Sequence, residues 1–188
     1  MPGHGYVSTG TSKRCGQCQT RPPAFDYVVC QYRYQPPISH WVLKMKDKRQ
    51  FIWAEKIAQL MQQSPPTMLN KVDQIVFIPS HPLHRFQRGF NPAEWIALEL
   101  SRAFAIPLVT NALIKGSGKD QRQVNLQNSL RKGSAQLTGQ HILIIDDVMT
   151  TGATLDVAAS LLKQQGARLV GAWVFARTPK YDFSNSHP

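Results

Sequence analysis

One segment constrains the fold of this 188-residue chain more than any other: residues 142–154 read Ile-Leu-Ile-Ile-Asp-Asp-Val-Met-Thr-Thr-Gly-Ala-Thr. The four apolar residues predict a short buried strand, and two adjacent carboxylates, Asp146 and Asp147, follow it. A loop of small and hydroxyl residues comes next, and an amphipathic run begins at Leu155. The order of strand, acidic pair, loop and helix predicts one ligand-binding unit.

The chemistry of this unit indicates a ligand that carries both an anionic group and hydroxyl groups. A helix start offers free backbone N–H groups and the positive end of the helix dipole to an anion. Gly152 lets the backbone come close to that anion. Asp146 and Asp147 repel an anion, so they suit hydroxyl groups or a metal nearby. A sugar phosphate combines these features.

The unit resembles the 5-phosphoribosyl 1-diphosphate (PRPP) motif of type I phosphoribosyltransferases. The resemblance implies that Asp146 and Asp147 are the catalytic residues, and that they hold the ribose hydroxyls directly or through water on Mg²⁺. The loop that would bind the 5′-phosphate consists of Thr150, Thr151, Gly152, Ala153 and Thr154. The alternative is an ordinary strand-to-helix turn with solvated acids. Because adjacent aspartates repel each other, their presence favours the binding site.

Strands and helices alternate from about residue 51 onward. The predicted strands lie at 25–34, 74–79, 140–145 and 169–176, with an edge strand near 108–113. The predicted helices lie at 38–45, 51–63, 91–104 and 154–165, and the third begins with Asn91 as its N-cap and Pro92 at the first helical position. This pattern predicts an α/β fold with a mostly parallel sheet flanked by helices. Ligands in such sheets bind at the carboxyl ends of the strands.

The loop after the strand at 74–79 predicts a second anion site. Ser80, Arg85 and Arg88 supply donors there, and a guanidinium matches phosphate oxygens with paired hydrogen bonds. The alternative is a surface loop with two solvated arginines. We also expect His81, His84 and His141 near this working edge of the sheet, as polar residues rather than metal ligands.

Several further motifs resemble the ComF/GntX family of phosphoribosyltransferase-like proteins. They are Pro79-x-His81-Pro82, Arg85-x-x-Arg88-Gly-Phe-Asn-x-Ala-Glu94, Arg21-Pro-Pro-Ala-Phe-Asp26, Leu43-Lys44-x-Lys46-x-x-Arg49 and Phe175-Ala-Arg-Thr178. The resemblance runs from about residue 15 to residue 178. It implies a flexible N-terminus with a small cysteine-containing segment (1–24), a phosphoribosyltransferase-like domain (25–180) and a C-terminal tail (181–188).

The resemblance implies displacement at the anomeric carbon of PRPP, with Ser80, Arg85 and Arg88 facing the pyrophosphate. The polar loop at 115–134, with Arg122 and Arg131, would close over the diphosphate and exclude water. Two other classes stay open. One is a binding module for competence that handles single-stranded DNA, and the other is a PRPP sensor; both keep the pocket and lack turnover.

The cysteines give a weaker signal. Cys15-x-x-Cys18 has zinc-ligand spacing, whereas Cys30 falls in a predicted strand and suits the core. Similar family members carry two such pairs. Here the nearest upstream ligand type is His4, so we expect this chain to hold well under one zinc per molecule. Three cysteines also argue against a disulfide framework.

Charge and hydropathy limit the kinds of partner and the location that we expect for this chain. The net charge of +11 indicates polyanionic partners such as nucleic acid or phosphorylated metabolites. We expect the basic group Lys44, Lys46, Lys48 and Arg49 on a surface separate from the pocket. No apolar run approaches the roughly 18–20 residues of a membrane span, and the N-terminus lacks the apolar core of a signal peptide. A cytoplasmic protein is expected, and its oligomeric state stays open.

Overall fold

The computed structural model describes residues 20–47, 50–80, 89–115 and 130–179. The elements follow in the order β1 (Tyr27–Arg33), α1 (Ile38–Lys46), α2 (Phe51–Gln62), a 3₁₀ turn (Leu69–Lys71), β2 (Gln74–Phe77), α3 (Pro92–Phe104), β3 (Leu113–Lys115), β4 (Leu130–Lys132), β5 (His141–Met149), α4 (Ala153–Gln164) and β6 (Leu169–Arg177). Within the described ranges, no helix has the length and apolar character needed to cross a membrane.

The main sheet has four parallel strands in the order β1-β6-β5-β2, and β3 pairs with β4 in a small antiparallel sheet. Because all four main strands run in the same direction, their carboxyl ends meet at one edge. This confirms the predicted α/β fold with its parallel sheet and flanking helices.

Two apolar layers hold the sheet. Leu143 and Ile145 of β5 pack in a cluster with buried residues of α1, α2 and α3. Ile142 and Ile144 pack in a second cluster with buried residues of α4, β3 and β4. Successive strand residues face opposite sides of a sheet, so helices cover both faces and a one-residue slip of β5 would exchange its two buried faces.

Helix α3 begins as its sequence predicts. Asn91 is the N-cap, its Oδ1 accepts a hydrogen bond from the Ala93 N–H at 3.2 Å, and Pro92 occupies the first helical position. The Asn91 Nδ2 also donates to the Ile78 carbonyl at 3.0 Å. This buried side chain therefore fixes the start of α3 to the end of β2.

The stretch from 108 to 134 differs from prediction. The edge strand lies at Leu113–Lys115 rather than near 108–113, and Leu108 makes only an isolated bridge with Ile75. The expected loop at 115–134 contains β4, whose Leu130 is buried and pairs with Lys115. The prediction missed β4 because a three-residue strand with one apolar residue has almost no local signal; its pairing with β3 supplies the stability.

Candidate functional site at the carboxyl edge of the sheet

The acidic pair lies inside β5, just beyond the end of its neighbour β2. The last β2 pair joins Phe77 to Ile145, whereas β5 continues beside β6 until Met149 pairs with Arg177. The predicted strand end at residue 145 is therefore too early, because the longer β6 goes on supplying a backbone partner. Asp146 and Asp147 sit where the sheet narrows at its carboxyl edge.

The side-chain alternation of β5 changes phase at this pair. Ile145 belongs to the layer under α1, α2 and α3, yet Val148 packs on that layer too, and Met149 belongs to the opposite one. The Asp147 N–H donates to Asp146 Oδ1 at 2.9 Å, and the Val148 N–H donates to Asp147 Oδ1 at 2.8 Å. One oxygen of each carboxylate is thus held by the local backbone.

Lys46, the last residue of α1, forms an ion pair with the acidic pair. Its Nζ lies 2.9 Å from Asp147 Oδ2, and the two side chains are 33% and 13% exposed. Burial, followed by the neighbouring charge of Asp147, raises the pKa of Asp146 well above its usual range, and Lys46 acts in the opposite direction. The site therefore already holds one positive charge against two adjacent carboxyl groups.

The predicted phosphate loop, residues 150–154, has the expected strand-to-helix geometry. Gly152 is the N-cap of α4 with φ +85°, a left-handed conformation that favours glycine. The Thr151 Oγ1 accepts a hydrogen bond from the Ala153 N–H at 3.3 Å, and the first backbone bond of the helix joins the Asp156 N–H to the Gly152 carbonyl. The amides of Thr154 and Leu155 precede that bond, so the helix start presents donors to an anion.

The segment at 21–26 has a structural role. The Ala24 N–H donates to Asp156 Oδ1 at 2.6 Å. Asp26 accepts hydrogen bonds from Lys163 Nζ at 2.9 Å and from the Val170 N–H at 2.7 Å. These contacts fasten the chain before β1 to both ends of α4 and to the start of β6, which accounts for this family-like motif without ligand binding.

Ser80 is the member of the predicted pyrophosphate set that the structure describes. It follows β2 by a few residues, at the same edge as the acidic pair, and its buried Oγ has no hydrogen-bond partner among the described residues. A buried hydroxyl without a partner is costly in a folded protein and suits a position that a ligand oxygen would fill. Arg85, Arg88, His81 and His84 lie outside the described residues, as do Arg122, His4, Cys15 and Cys18.

The basic segment is divided between two surfaces. Lys46 contacts Asp147, whereas the Lys44 Nζ lies 5.0 Å from the centre of the Trp53 ring. Each residue turns a helix by about 100°, so the side chains of Lys44 and Lys46 point in nearly opposite directions, and this explains why they lie on different surfaces. The expected separate surface is therefore wrong for Lys46, while Lys48 and Arg49 lie outside the described residues. No local sequence signal joins Lys46 to Asp147.

His141 lies at the opposite edge from the site, contrary to the prediction. It is the first residue of β5; its Nδ1 donates to the Lys71 carbonyl at 2.9 Å, and its Nε2 accepts from the Tyr27 hydroxyl at 2.8 Å. Burial lowers the pKa of His141. Its place at the start of the predicted strand was the available signal, because the start of a parallel strand lies at the edge of the sheet opposite the carboxyl ends.

Cys30 lies in β1 and packs against the layer under α4, as predicted for a core residue. Burial raises the pKa of its thiol to about 11. A thiol of this kind stays protonated at neutral pH and is a poor nucleophile or metal ligand.

The acidic pair fits Mg²⁺. Within the described part of the chain, no group of three or more His, Cys, Asp or Glu side chains could hold a metal ion. Mg²⁺ usually binds proteins through one or two carboxylates together with substrate phosphates, so two aspartates suffice. Asp147 Oδ2 already accepts a cation, the ammonium of Lys46.

A model of the phosphoribosyl transferase domain family matches residues 87–187, more than half of the chain and the whole segment from β5 to α4. The chain belongs to the phosphoribosyl transferase domain family. The acidic pair and the phosphate loop therefore lie inside the matched domain.

Curated relatives of this phosphoribosyl transferase domain protein extend over nearly its whole length. The DNA utilization protein YhgH of Salmonella typhimurium is 30% identical over 94% of this chain and 83% of its own. The YhgH protein of Escherichia coli is 29% identical with the same coverage. Competence protein F of Haemophilus influenzae is 28% identical over 88% of this chain and 79% of its own, which confirms the resemblance to the ComF family.

Solved phosphoribosyltransferases resemble the chain at lower identity. The glutamine PRPP amidotransferase of Bacillus subtilis, solved with ADP and GMP, is 16% identical with a TM-score of 0.49, covering 64% of this chain and 25% of that one.

Proposed function

We propose that this protein binds PRPP together with Mg²⁺ and transfers the phosphoribosyl group to an acceptor nitrogen. The observation that carries this proposal is the arrangement of two aspartates at the carboxyl edge of β5, directly before the glycine-led start of α4. A carboxylate pair and an anion site a few residues apart complement the two ends of a sugar phosphate.

Each part of the site has a role in that reaction. The loop at 150–154 and the first amides of α4 bind the 5′-phosphate, and Asp146 and Asp147 orient the ribose hydroxyls. Ser80, with Arg85 and Arg88, binds the pyrophosphate. The bond from the anomeric carbon to a pyrophosphate oxygen breaks, pyrophosphate leaves with the electron pair, the acceptor nitrogen bonds to the carbon, and its proton passes to solvent. Bound Mg²⁺ supplies positive charge against the departing pyrophosphate.

The test combines binding and turnover. PRPP with Mg²⁺ should raise the melting temperature, and pyrophosphate release should be measured across a panel of nucleobases and amines. Replacing Asp146 and Asp147 with Asn should abolish both signals while circular dichroism shows an intact fold. Glu99→Gln is the control, because Glu99 lies on α3 and pairs with Arg102. A thermal shift without release would contradict the transferase and leave a PRPP sensor; unchanged PRPP binding by the double variant would reject the site.

A second candidate function is supported by an aromatic and basic groove on α1 and α2. The groove has a volume of about 270 Å³ and is lined by Trp41, Trp53, Lys56, Gln59, Leu60 and Gln63. The two tryptophan rings are 5.9 Å apart, and the Nζ atoms of Lys44 and Lys56 lie 5.0 and 4.8 Å from the centre of the Trp53 ring. Stacking rings beside ammonium groups suit the bases and phosphates of a single strand.

This second candidate is the handling of single-stranded DNA, in keeping with the names of the DNA utilization and competence relatives. Oligo(dT) should quench tryptophan fluorescence, because a base stacks on the ring. Replacing Trp41 and Trp53 with Leu should remove the quenching and the binding. Trp95→Leu is the control, since Trp95 packs on Phe51 and does not line the groove. Equal DNA binding by the double variant and the parent would reject the groove.

A further inference from the structure

We infer that Lys46 is an exchangeable counter-ion: it holds Asp147 while the site is empty and moves to an oxygen of the diphosphate when Mg²⁺ and the sugar diphosphate bind. The inference rests on the proposed function and adds a positioning residue. Lys46 lies outside the loop at 150–154, outside the acidic pair and outside the predicted pyrophosphate set of Ser80, Arg85 and Arg88.

The first argument is competition for one oxygen. Asp147 Oδ1 accepts a hydrogen bond from the Val148 N–H at 2.8 Å, so Oδ2 is the more open of the two oxygens for a ligand. The Lys46 Nζ lies 2.9 Å from Oδ2. An ammonium at that distance occupies the place where Mg²⁺, its water or a ribose hydroxyl would approach. A ligand that binds Asp147 Oδ2 therefore competes with Lys46 for that oxygen.

The second argument concerns how easily Lys46 can leave. It is the last residue of α1, and Asp47 after it is extended, with φ −78° and ψ 160°. Val42 and Met45 anchor the helix in the core without any exposed surface. The Lys46 side chain is one-third exposed, and its flexible four-carbon stem can reorient while the helix stays in place.

The third argument is where the ammonium goes. Mg²⁺ beside Asp147 repels a positive group, and the incoming ligand brings several negative oxygens to the same edge of the sheet. A lysine released from Asp147 then has a charge-assisted partner in the diphosphate. The exchange keeps charge balanced in both states and predicts that Lys46 opposes Mg²⁺ binding while it favours PRPP binding.

The test uses Lys46→Met with Lys163→Met as the matched control. Lys163 also lies in the last turn of a helix, is 36% exposed and pairs with an aspartate at 2.9 Å, but that partner is Asp26, away from the site. Calorimetry should measure Mg²⁺ alone and then PRPP at saturating Mg²⁺. Lys46→Met should bind Mg²⁺ about threefold more tightly, the scale of a partly exposed ion pair. It should bind PRPP about tenfold more weakly, the scale of one charge-assisted hydrogen bond. Lys163→Met should change neither.

The outcomes separate this inference from the proposed function. If Lys46→Met binds both Mg²⁺ and PRPP more weakly, Lys46 has a structural role. If it binds both as the parent does, the contact with Asp147 does not affect binding. Either result overturns the inference but leaves the proposed function intact, provided that the parent binds PRPP. If the parent protein binds neither ligand, the proposed function and the exchange of Lys46 are both rejected.

A second experiment measures the acetylation rate of Lys46 by mass spectrometry. Acetylation should be slow in the parent and faster in Asp147→Asn; a fast rate in the parent would also overturn the inference.

Discussion

At the scale of single residues, Gly152 combines two constraints at the phosphate loop. Its φ of +85° is strained for other residues, and an added Cβ would lie 2.6 Å from the Met149 Cε. Met149 ends β5 and its side chain is buried. A side chain at position 152 would therefore strain the turn and displace the end of the Met149 side chain.

Gly152→Ala should lower the melting temperature and weaken PRPP binding at least about tenfold, a loss of about 1.4 kcal/mol. The reason is that a left-handed conformation costs an L-residue roughly 1 kcal/mol, so the loop must rotate away from it, and the Met149 side chain must move. Gly139→Ala is the control, because Gly139 has φ +75° and nothing within 4 Å of its added Cβ. It should cost similar stability and keep PRPP binding. Equal PRPP affinities in the two variants would contradict this role for Gly152.

At the scale of elements, the amino edge of the sheet is tied by a polar contact among three strands. The Tyr27 hydroxyl of β1 bonds to His141 of β5, and the Tyr27 ring occupies the space above Gly171 of β6, where an added Cβ would clash with the ring. Burial, with a smaller effect of Asp26, raises the pKa of Tyr27 to about 12, so it remains a hydroxyl donor. This contact stabilises the amino edge of the sheet, which lies opposite the candidate site.

The lowered pKa of His141 predicts a pH dependence of stability. Its ordinary pKa is about 6.5, and the folded value lies below it, so the unfolded chain binds more protons between the two values. The contribution of His141 is complete above pH 6.5 and is lost as the pH falls through that window. Thermal unfolding at pH 7.5, 6.5 and 5.5 should show that the parent loses more stability with falling pH than His141→Gln does. Parallel losses in the two proteins would contradict the shift.

At the scale of the whole molecule, helix α1 joins two surfaces. Its Lys46 faces the acidic pair, and its Lys44 faces the aromatic groove. The net charge of +11 favours any polyanion, so it cannot distinguish the phosphate pocket from the groove by itself. Variants that lose charges from one surface at a time can distinguish the two.

Binding of single-stranded DNA should fall steeply with salt, because each neutralised phosphate releases counterions with a slope of about −0.7. Replacing Lys44 and Lys56 with Met should flatten the slope by about 1.4, the value for two contacts, and leave PRPP binding unchanged. Lys163→Met should change the slope less, since Lys163 pairs with Asp26 away from the groove. No DNA binding at about 50 mM salt, where electrostatic binding is strong, would exclude the nucleic-acid function.

The sequence by itself determined the helices, the parallel strands and the strand-loop-helix unit at 142–154. Their signals are local: helical spacing in α2, the Asn91 cap of α3, and an apolar run followed by acids and a glycine turn. Sequence order also places the loops after β2 and β5 at the same edge, because parallel strands share a direction.

Only the tertiary structure decided the features that depend on distant partners. Strand β4 exists because β3 pairs with it, and β5 runs past residue 145 because β6 continues beside it. The contact between Lys46 and Asp147 depends on how α1 packs on the sheet, and helical spacing alone could not say which lysine faces the acids. Local patterns fix backbone conformation, whereas charge pairing at the site needs the three-dimensional distance between segments remote in sequence.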